Sequence, residues 1–184
     1  MVDNITLIGM PASGKSSIGS ALARQTGYTF LDGDREIERR MGMKLPDILA
    51  KYGNSEFRRI EEDVNASLDV HHTIIAPGGS VIYGERAMRH FRELGEVVYL
   101  QLNYAAVAER LRNLQTRGVS MAPTQTLLDL YYERIPLYER WATIEISCSR
   151  RWPNGVVREI LRLTGIPPLP KTAAVFSPEE GSAP

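Results

Sequence analysis

The sequence is poor in cysteine and shows no excess of either charge, and each absence excludes a class of protein. Cys148 is the only cysteine among 184 residues, so no internal disulfide can form and a reducing cytoplasm is predicted. Basic and acidic residues number 22 each, which leaves no net charge to attract nucleic acid or a membrane surface. No apolar run approaches the ~20 residues of a membrane-spanning helix. Asp3 leads directly into the first apolar run, so no signal peptide is expected.

The length of the chain and its pattern of apolar residues predict one α/β domain. Short apolar runs that suit buried strands alternate with segments of helical spacing, an order typical of a parallel sheet covered by helices on both faces. The predicted strands cover residues 5–8, 29–31, 73–76, 97–102 and 144–147. We expect residues 1–166 to form the domain, as a monomer, and the Pro-, Ser-, Ala- and Glu-rich tail at 167–184 to be disordered.

A glycine-rich segment between the first strand and the first helix carries the strongest chemical signal. It has a glycine, four intervening residues and then Gly-Lys-Ser, which is a phosphate-binding loop when a strand precedes it and a helix follows. Glycines let backbone N–H groups face phosphate oxygens, the helix amino terminus favours their charge, and lysine and serine suit the terminal phosphates and Mg²⁺. The sequence therefore predicts a nucleoside triphosphate site formed by Gly9, Pro11, Ala12, Ser13, Gly14, Lys15, Ser16 and Ser17.

Two acidic residues follow the second predicted strand. Asp32 and Asp34 are two positions apart, so a strand continuing through them would place both on one face at the ligand edge of the sheet. At that edge one carboxylate suits Mg²⁺ and the other suits an acceptor hydroxyl. The alternative is a simple turn in which Asp34 caps the next helix.

Residue chemistry alone leaves two further features open. Arg58 borders an apolar helix stripe and can face an enclosed site, yet Glu61 and Glu62 are spaced for an exposed ion pair with it. Gly78 and Gly79 follow the third predicted strand, where their backbone can approach a ligand closely or simply form a turn.

Two segments interrupt the alternation of strands and helices. Residues 33–61 hold predicted helices without a strand and form an insertion over the ligand edge, and Ser55 is expected to cap its long helix. Residues 112–124 have no strong period and carry Arg117, which together predict a flexible lid. Farther along, Pro136 is expected to kink or restart its helix.

These features together make the chain similar to the shikimate kinase family from about Asn4 to Leu163. The phosphate loop, the Gly78-Gly79 turn and residues 97–100 match, but they are shared by many small P-loop kinases. More specific are the acidic pair, residues 56–61 and residues 134–138, which read Arg-Ile-Pro-Leu-Tyr. The resemblance implies a three-layer P-loop kinase fold with a five-stranded parallel sheet. It also implies ATP-dependent phosphorylation of the 3-hydroxyl of shikimate, with Mg²⁺ as cofactor, in aromatic amino acid biosynthesis.

On the nucleotide side, the resemblance assigns a role to each of five residues. Lys15 and Arg117 would stabilise charge on the phosphoryl group in transfer. Ser16 would bind Mg²⁺ directly and Asp32 through water, and Arg110 would stack on adenine. The lid at 112–124 would close over ATP.

On the acceptor side, the resemblance implies that Asp34 holds the acceptor hydroxyl and takes its proton. Arg58 and Arg134 would bind the substrate carboxylate, a task that suits the two-pronged guanidinium group. Gly78 and Gly79 would bring their backbone against the substrate, Gly79 through its N–H. The insertion at 33–61 would form the substrate-binding segment.

The chain departs from the family pattern on the acceptor side. Ser80 stands where a third glycine is usual, Gly118 and Val119 replace a proline and a leucine of the lid, and Leu49 replaces an aromatic residue. These departures leave a second acceptor open, such as homoserine or a sugar acid. A non-catalytic nucleotide-binding regulator is the alternative of another class, but the catalytic set predicted above is retained, and no guanine-reading Asn-Lys-x-Asp segment is present.

Overall fold

The computed structural model of the chain describes residues 2–112, 125–149 and 152–170. Within these ranges five strands form one parallel sheet, namely β1 (Asn4–Ile8), β2 (Thr29–Asp32), β3 (Thr73–Ala76), β4 (Gly95–Gln101) and β5 (Ile144–Ser147). The described α-helices are α1 (Lys15–Thr26), α2 (Gly33–Met41), α3 (Leu45–Ala66), α4 (Glu85–Leu94), α5 (Tyr104–Arg112), α6 (Leu127–Trp141) and α7 (Pro153–Thr164). The α/β fold class and all five predicted strands are confirmed, with strand ends shifted by at most two residues.

The strands lie in the order β2-β3-β1-β4-β5, and every neighbouring pair is parallel. The connection from β1 to β2 runs one way along the sheet, and the connection from β3 to β4 runs the other way. Because such crossovers are right-handed, α1 and α4 lie on opposite faces. The carboxyl ends of β2, β3 and β1 therefore meet at one edge, beside the point where the direction of the connections reverses.

The main hydrophobic core lies on both faces of the sheet. Every residue of β1 and β3 is buried, including the polar Asn4, Thr6 and Thr73, as expected for a parallel sheet covered on both sides. Cys148 is a buried thiol in this core. None of the described helices is long and apolar enough to cross a membrane.

A second, smaller cluster of apolar side chains joins α2 to α3 within the insertion. Its buried members are Ile37, Ile48, Phe57 and Val64, and the partly buried Leu49 packs against them. The α3 helix is interrupted at Gly53, where φ of 74° and ψ of 172° break the helical geometry. This cluster packs the second half of α3, which carries Arg58, against α2 and the first half of α3.

Two local predictions about helices have different outcomes. Ser55 lies two residues after the break at Gly53, where the second half of α3 begins, and its role as a cap there stays a prediction. Pro136 does not restart its helix, because α6 runs continuously across it, and the kink stays a prediction.

Outside the helices and strands, the described part of the tail contacts the domain. The Leu169 N–H donates a hydrogen bond to the Gln25 carbonyl oxygen at 2.6 Å. Residues 171–184 of the predicted tail lie outside the described residues.

Candidate active site

The phosphate loop joins β1 to α1 through backbone angles that few side chains tolerate. Gly9 has φ of 148° and Gly14 has φ of 100°, and Ala12 is itself left-handed at 64°. At Gly9 a Cβ would lie 2.9 Å from the Leu100 carbonyl oxygen. The loop is therefore held tightly against the end of β4, and Ser13 within it is buried.

Two basic side chains fold onto this loop. Lys15 Nζ donates to the carbonyl oxygens of Gly9 at 2.9 Å and Met10 at 3.3 Å. On the other side Arg110 donates to the carbonyl oxygens of Ala12 at 3.2 Å and Ser13 at 3.4 Å. The loop thus places positive charge beside the amino terminus of α1, where anions are favoured.

The acidic pair is arranged differently from the prediction. Asp32 ends β2 and Asp34 lies in the first turn of α2, so strand alternation does not place them on one face. It is Asp32, rather than Asp34, that caps the helix, because its Oδ1 accepts from the N–H groups of Asp34 at 3.1 Å and Arg35 at 3.3 Å.

The residue types at this edge fit a magnesium ion. Asp32 is only partly buried, and its capping bonds use Oδ1 alone, which leaves Oδ2 free of hydrogen bonds to the described part of the chain. Ser16 lies in the first turn of α1 and is also partly exposed. Where the chain is described, no three His, Cys, Asp or Glu side chains gather for a metal. Mg²⁺ prefers a few oxygen ligands from the protein, with water and phosphates completing its coordination shell.

The Gly78-Gly79 turn after β3 lies at the centre of these groups. A Cβ on Gly78 would lie 2.4 Å from Glu61 Oε1 and 3.0 Å from Asp34 Oδ1. A Cβ on Gly79 would lie 3.2 Å from both Arg134 Nη1 and Pro11 Cδ of the phosphate loop. Both glycines are therefore needed for close approach.

Helix α6 supplies the residues that close the site from the other side. Arg134 is 1% exposed and donates from Nε to the Tyr83 hydroxyl at 3.3 Å. The Tyr138 hydroxyl donates to the Gly79 carbonyl oxygen at 2.7 Å. Arg58 of α3 is partly buried, and its Cζ lies 3.9 Å from the centroid of the Tyr83 ring. Arg58 thus faces the enclosed site, and the exposed ion pair is the wrong alternative.

Sequence reasoning missed a buried acid in this cluster. Glu61 is 1% exposed, and burial, reinforced by the negative charge of Asp34, raises its pKa from 4.5 to about 7 against the opposing effects of Ser80, Arg134 and Arg58. Its Oε2 accepts a 2.6 Å hydrogen bond from the Ser80 hydroxyl. The signal was present in the sequence, since Glu61 falls four residues after Phe57 on the buried face of α3.

The structure therefore brings most of the predicted site together at one edge of the sheet. Asp34, Gly78, Gly79 and Arg134 form one cluster, and Pro11 joins it to the phosphate loop. Ser17 is exposed in the first turn of α1. Arg117 and the predicted lid from residue 113 onward lie outside the described residues.

The fold and the site define a P-loop kinase of small molecules. Its marks are the order of the parallel sheet, the phosphate loop, and the cluster of acidic and basic side chains that faces this loop. A family model described as shikimate kinase matches residues 11–164. The chain belongs to the shikimate kinase family.

Relatives and solved structures agree with this assignment. A shikimate kinase of Mycobacterium tuberculosis is 38% identical over 170 residues, which cover 91% of this chain and 96% of that protein. One from Thiobacillus denitrificans is 35% identical over 85% of this chain and 87% of its own length. The structure of shikimate kinase from Acinetobacter baumannii in complex with shikimate superposes with a TM-score of 0.79 at 31% identity, covering 89% of this chain and 93% of that one.

Proposed function

We propose that this protein transfers the γ-phosphoryl group of ATP to the 3-hydroxyl of shikimate, with Mg²⁺ as cofactor, and that it acts as a cytoplasmic monomer. In this reaction a bond forms between the acceptor oxygen and the γ-phosphorus while the bond from that phosphorus to the β-phosphate oxygen breaks. ADP leaves, and the hydroxyl proton passes to a base.

On the nucleotide side, the backbone N–H groups of the phosphate loop and the amino terminus of α1 bind the phosphates. Lys15, whose Nζ lies 2.9 Å from the Gly9 carbonyl oxygen of the loop, binds the β- and γ-phosphates. Ser16 and Asp32 would hold Mg²⁺, Asp32 through water, and the ion would supply positive charge against the phosphates. Arg110 stacks on adenine and Arg117 stabilises the phosphoryl group, roles that rest on the family resemblance.

On the acceptor side, Asp34 lies next to Gly78 and holds the hydroxyl that attacks, taking its proton. Arg58 and Arg134 bind the carboxylate at the other end of the acceptor, and the Gly79 N–H orients it. Because two guanidinium groups converge there, an acceptor with a carboxylate is favoured over a neutral polyol.

One observation carries the proposal. A Cβ on Gly79 would lie 3.2 Å from Arg134 Nη1 and equally close to Pro11 Cδ of the phosphate loop. The arginine that binds the carboxylate and the phosphate loop are therefore no farther apart than the width of a small molecule. A compact hydroxy acid bound by the arginines would present its hydroxyl toward the γ-phosphate, which is the positioning that phosphoryl transfer requires.

The test is ADP release by the purified protein with Mg²⁺-ATP, with shikimate, homoserine and gluconate as parallel acceptors. We expect saturable turnover with shikimate and background rates with the other two. Turnover with homoserine or gluconate instead would show that Ser80 and Leu49 belong to an altered acceptor pocket, and the proposal would be wrong. Replacing Mg²⁺ by EDTA should abolish turnover, and restored Mg²⁺ should recover it.

A further inference from the structure

Tyr83 lies between the two arginines of the acceptor site, and the reaction described above gives it no role. Its ring centroid is 3.9 Å from Cζ of Arg58 and 5.5 Å from Cζ of Arg134. Its hydroxyl oxygen accepts the 3.3 Å hydrogen bond from Arg134 Nε. One tyrosine therefore contacts the first guanidinium through its ring face and the second through its oxygen.

An aromatic ring suits this position because two guanidinium groups close to one side chain repel each other. The negative face of the ring attracts a cation without carrying a formal charge. The ring offsets part of the repulsion between the two guanidinium groups and leaves both arginines available for an anion. A carboxylate at the same position would form ion pairs with both arginines and compete with the carboxylate of the acceptor.

Neighbouring groups fix the ring in place. The Tyr83 hydroxyl donates to Glu133 Oε1 at 2.5 Å, and Glu133 Oε2 accepts from Gln125 at 2.5 Å. Burial and the bond to Glu133 raise the pKa of Tyr83, so the hydroxyl stays protonated and donates at neutral pH.

The backbone that carries Tyr83 is anchored as well. The residue ends the 3-10 turn Val81–Tyr83, and its N–H donates to the Ser80 carbonyl oxygen at 3.0 Å. The Trp141 indole of α6 donates to the Ile82 carbonyl oxygen at 3.2 Å. The ring is thus held by the same helix that carries Arg134.

We propose that Tyr83 is a positioning residue that sets the spacing and direction of Arg58 and Arg134 for the carboxylate of the acceptor. The inference rests on the proposed function, because it assigns those arginines to that carboxylate. It adds a residue that determines how strongly the site prefers a charged acceptor over a neutral one of the same shape.

Three variants test it. Tyr83→Leu removes the ring face and the hydroxyl, and Tyr83→Phe removes the hydroxyl alone. Tyr132→Leu is the matched control, because Tyr132 lies on α6 with 67% of its surface exposed. For each variant we would measure kcat, the KM values for ATP and shikimate, and the ratio of kcat/KM for shikimate to kcat/KM for its methyl ester.

We expect Tyr83→Leu to raise the KM for shikimate roughly tenfold, the loss typical of a partly desolvated cation–π contact. The preference for shikimate over its ester should fall by a similar factor, while kcat and the KM for ATP stay within about twofold of the wild type. Tyr83→Phe keeps the contact with Arg58 and should raise the KM for shikimate only about threefold. Tyr132→Leu should match the wild type.

The outcomes separate the two proposals. A wild-type protein that does not phosphorylate shikimate refutes the proposed function and the inference with it. An active wild type, together with a Tyr83→Leu variant that keeps the normal KM and the normal ester preference, overturns the inference alone. Should circular dichroism show that Tyr83→Leu is unfolded, Tyr83→Phe decides, and unchanged KM and ester preference in that variant overturn the proposal.

Discussion

The stability of a Glu61→Gln variant, measured relative to the wild type, should increase as the pH rises. In the folded state burial raises the pKa of Glu61 from 4.5 to about 7, whereas in the unfolded chain the carboxyl titrates at its ordinary value. Between these two pH values the folded protein binds a proton that the unfolded chain has lost, so stability falls as pH increases. The stabilising contribution is complete below pH 4.5 and is lost as pH rises through about 7.

The magnitude follows from the size of the change in pKa. Each pKa unit corresponds to ~1.36 kcal/mol, so a pKa of about 7 instead of 4.5 is worth roughly 3 kcal/mol. Glutamine has nearly the same shape and does not titrate. Any change in packing that it causes is a constant offset, and the pH-dependent part of the difference belongs to the carboxyl alone.

The assay is urea unfolding followed by circular dichroism at pH values from 5 to 8. The difference in unfolding free energy, Glu61→Gln minus wild type, should grow by roughly 2–3 kcal/mol over this range. Glu56→Gln is the control, since that side chain is 42% exposed and pairs with Arg59, which stays charged over this range, and its difference should stay flat. A flat profile for Glu61→Gln would refute the reasoning, because it would mean that the buried carboxyl titrates alike in the folded and unfolded chains.

Ser80 supplies a second arm of the same experiment. Its hydroxyl donates a 2.6 Å bond to Glu61 and lowers the pKa of the carboxyl against the effect of burial. In Ser80→Ala the pKa of Glu61 should therefore rise further, and the loss of stability should extend to higher pH than in the wild type. An unchanged pH profile would show that this hydrogen bond does not favour the ionised form.

Three further predictions concern the loop, the cap and the glycine turn. Lys15→Ala should reduce kcat by roughly 10²–10³-fold in an ADP-release assay, and a fully active variant would exclude the phosphate role. Asp32→Ala should lose about 1 kcal/mol of unfolding free energy because it removes the helix cap. Asp32→Asn keeps the cap and should only raise the Mg²⁺ concentration needed for half-maximal activity. An unchanged Mg²⁺ dependence in Asp32→Asn would argue against the metal role. Gly78→Ala should cost roughly 1–3 kcal/mol in a thermal melt, since its Cβ would lie 2.4 Å from Glu61 Oε1. Gly155→Ala, whose Cβ meets nothing within 4 Å, should be neutral or slightly stabilising.

The chemistry of short segments explains why so much of the fold could be predicted from sequence. A buried parallel strand is a local apolar run, and a phosphate loop is a local run of glycines with its lysine, so both are recognised without knowing their neighbours. The same logic failed at Asp32 and Asp34. Where a strand ends and a helix begins depends on which carboxylate captures the free N–H groups, and the structure gives that position to Asp32.

The sequence by itself thus determined the sheet, the phosphate loop and, through the family motifs, the candidate acceptor residues. Only the tertiary structure decided which side chains contact one another within the site. The contact of Tyr83 with Arg58 and Arg134, 25 and 51 positions away in the chain, exists because β2, β3 and β1 end side by side and α6 packs against the turn after β3. Contacts between segments so far apart leave no local pattern, since each residue alone is an ordinary tyrosine or arginine until packing brings them together.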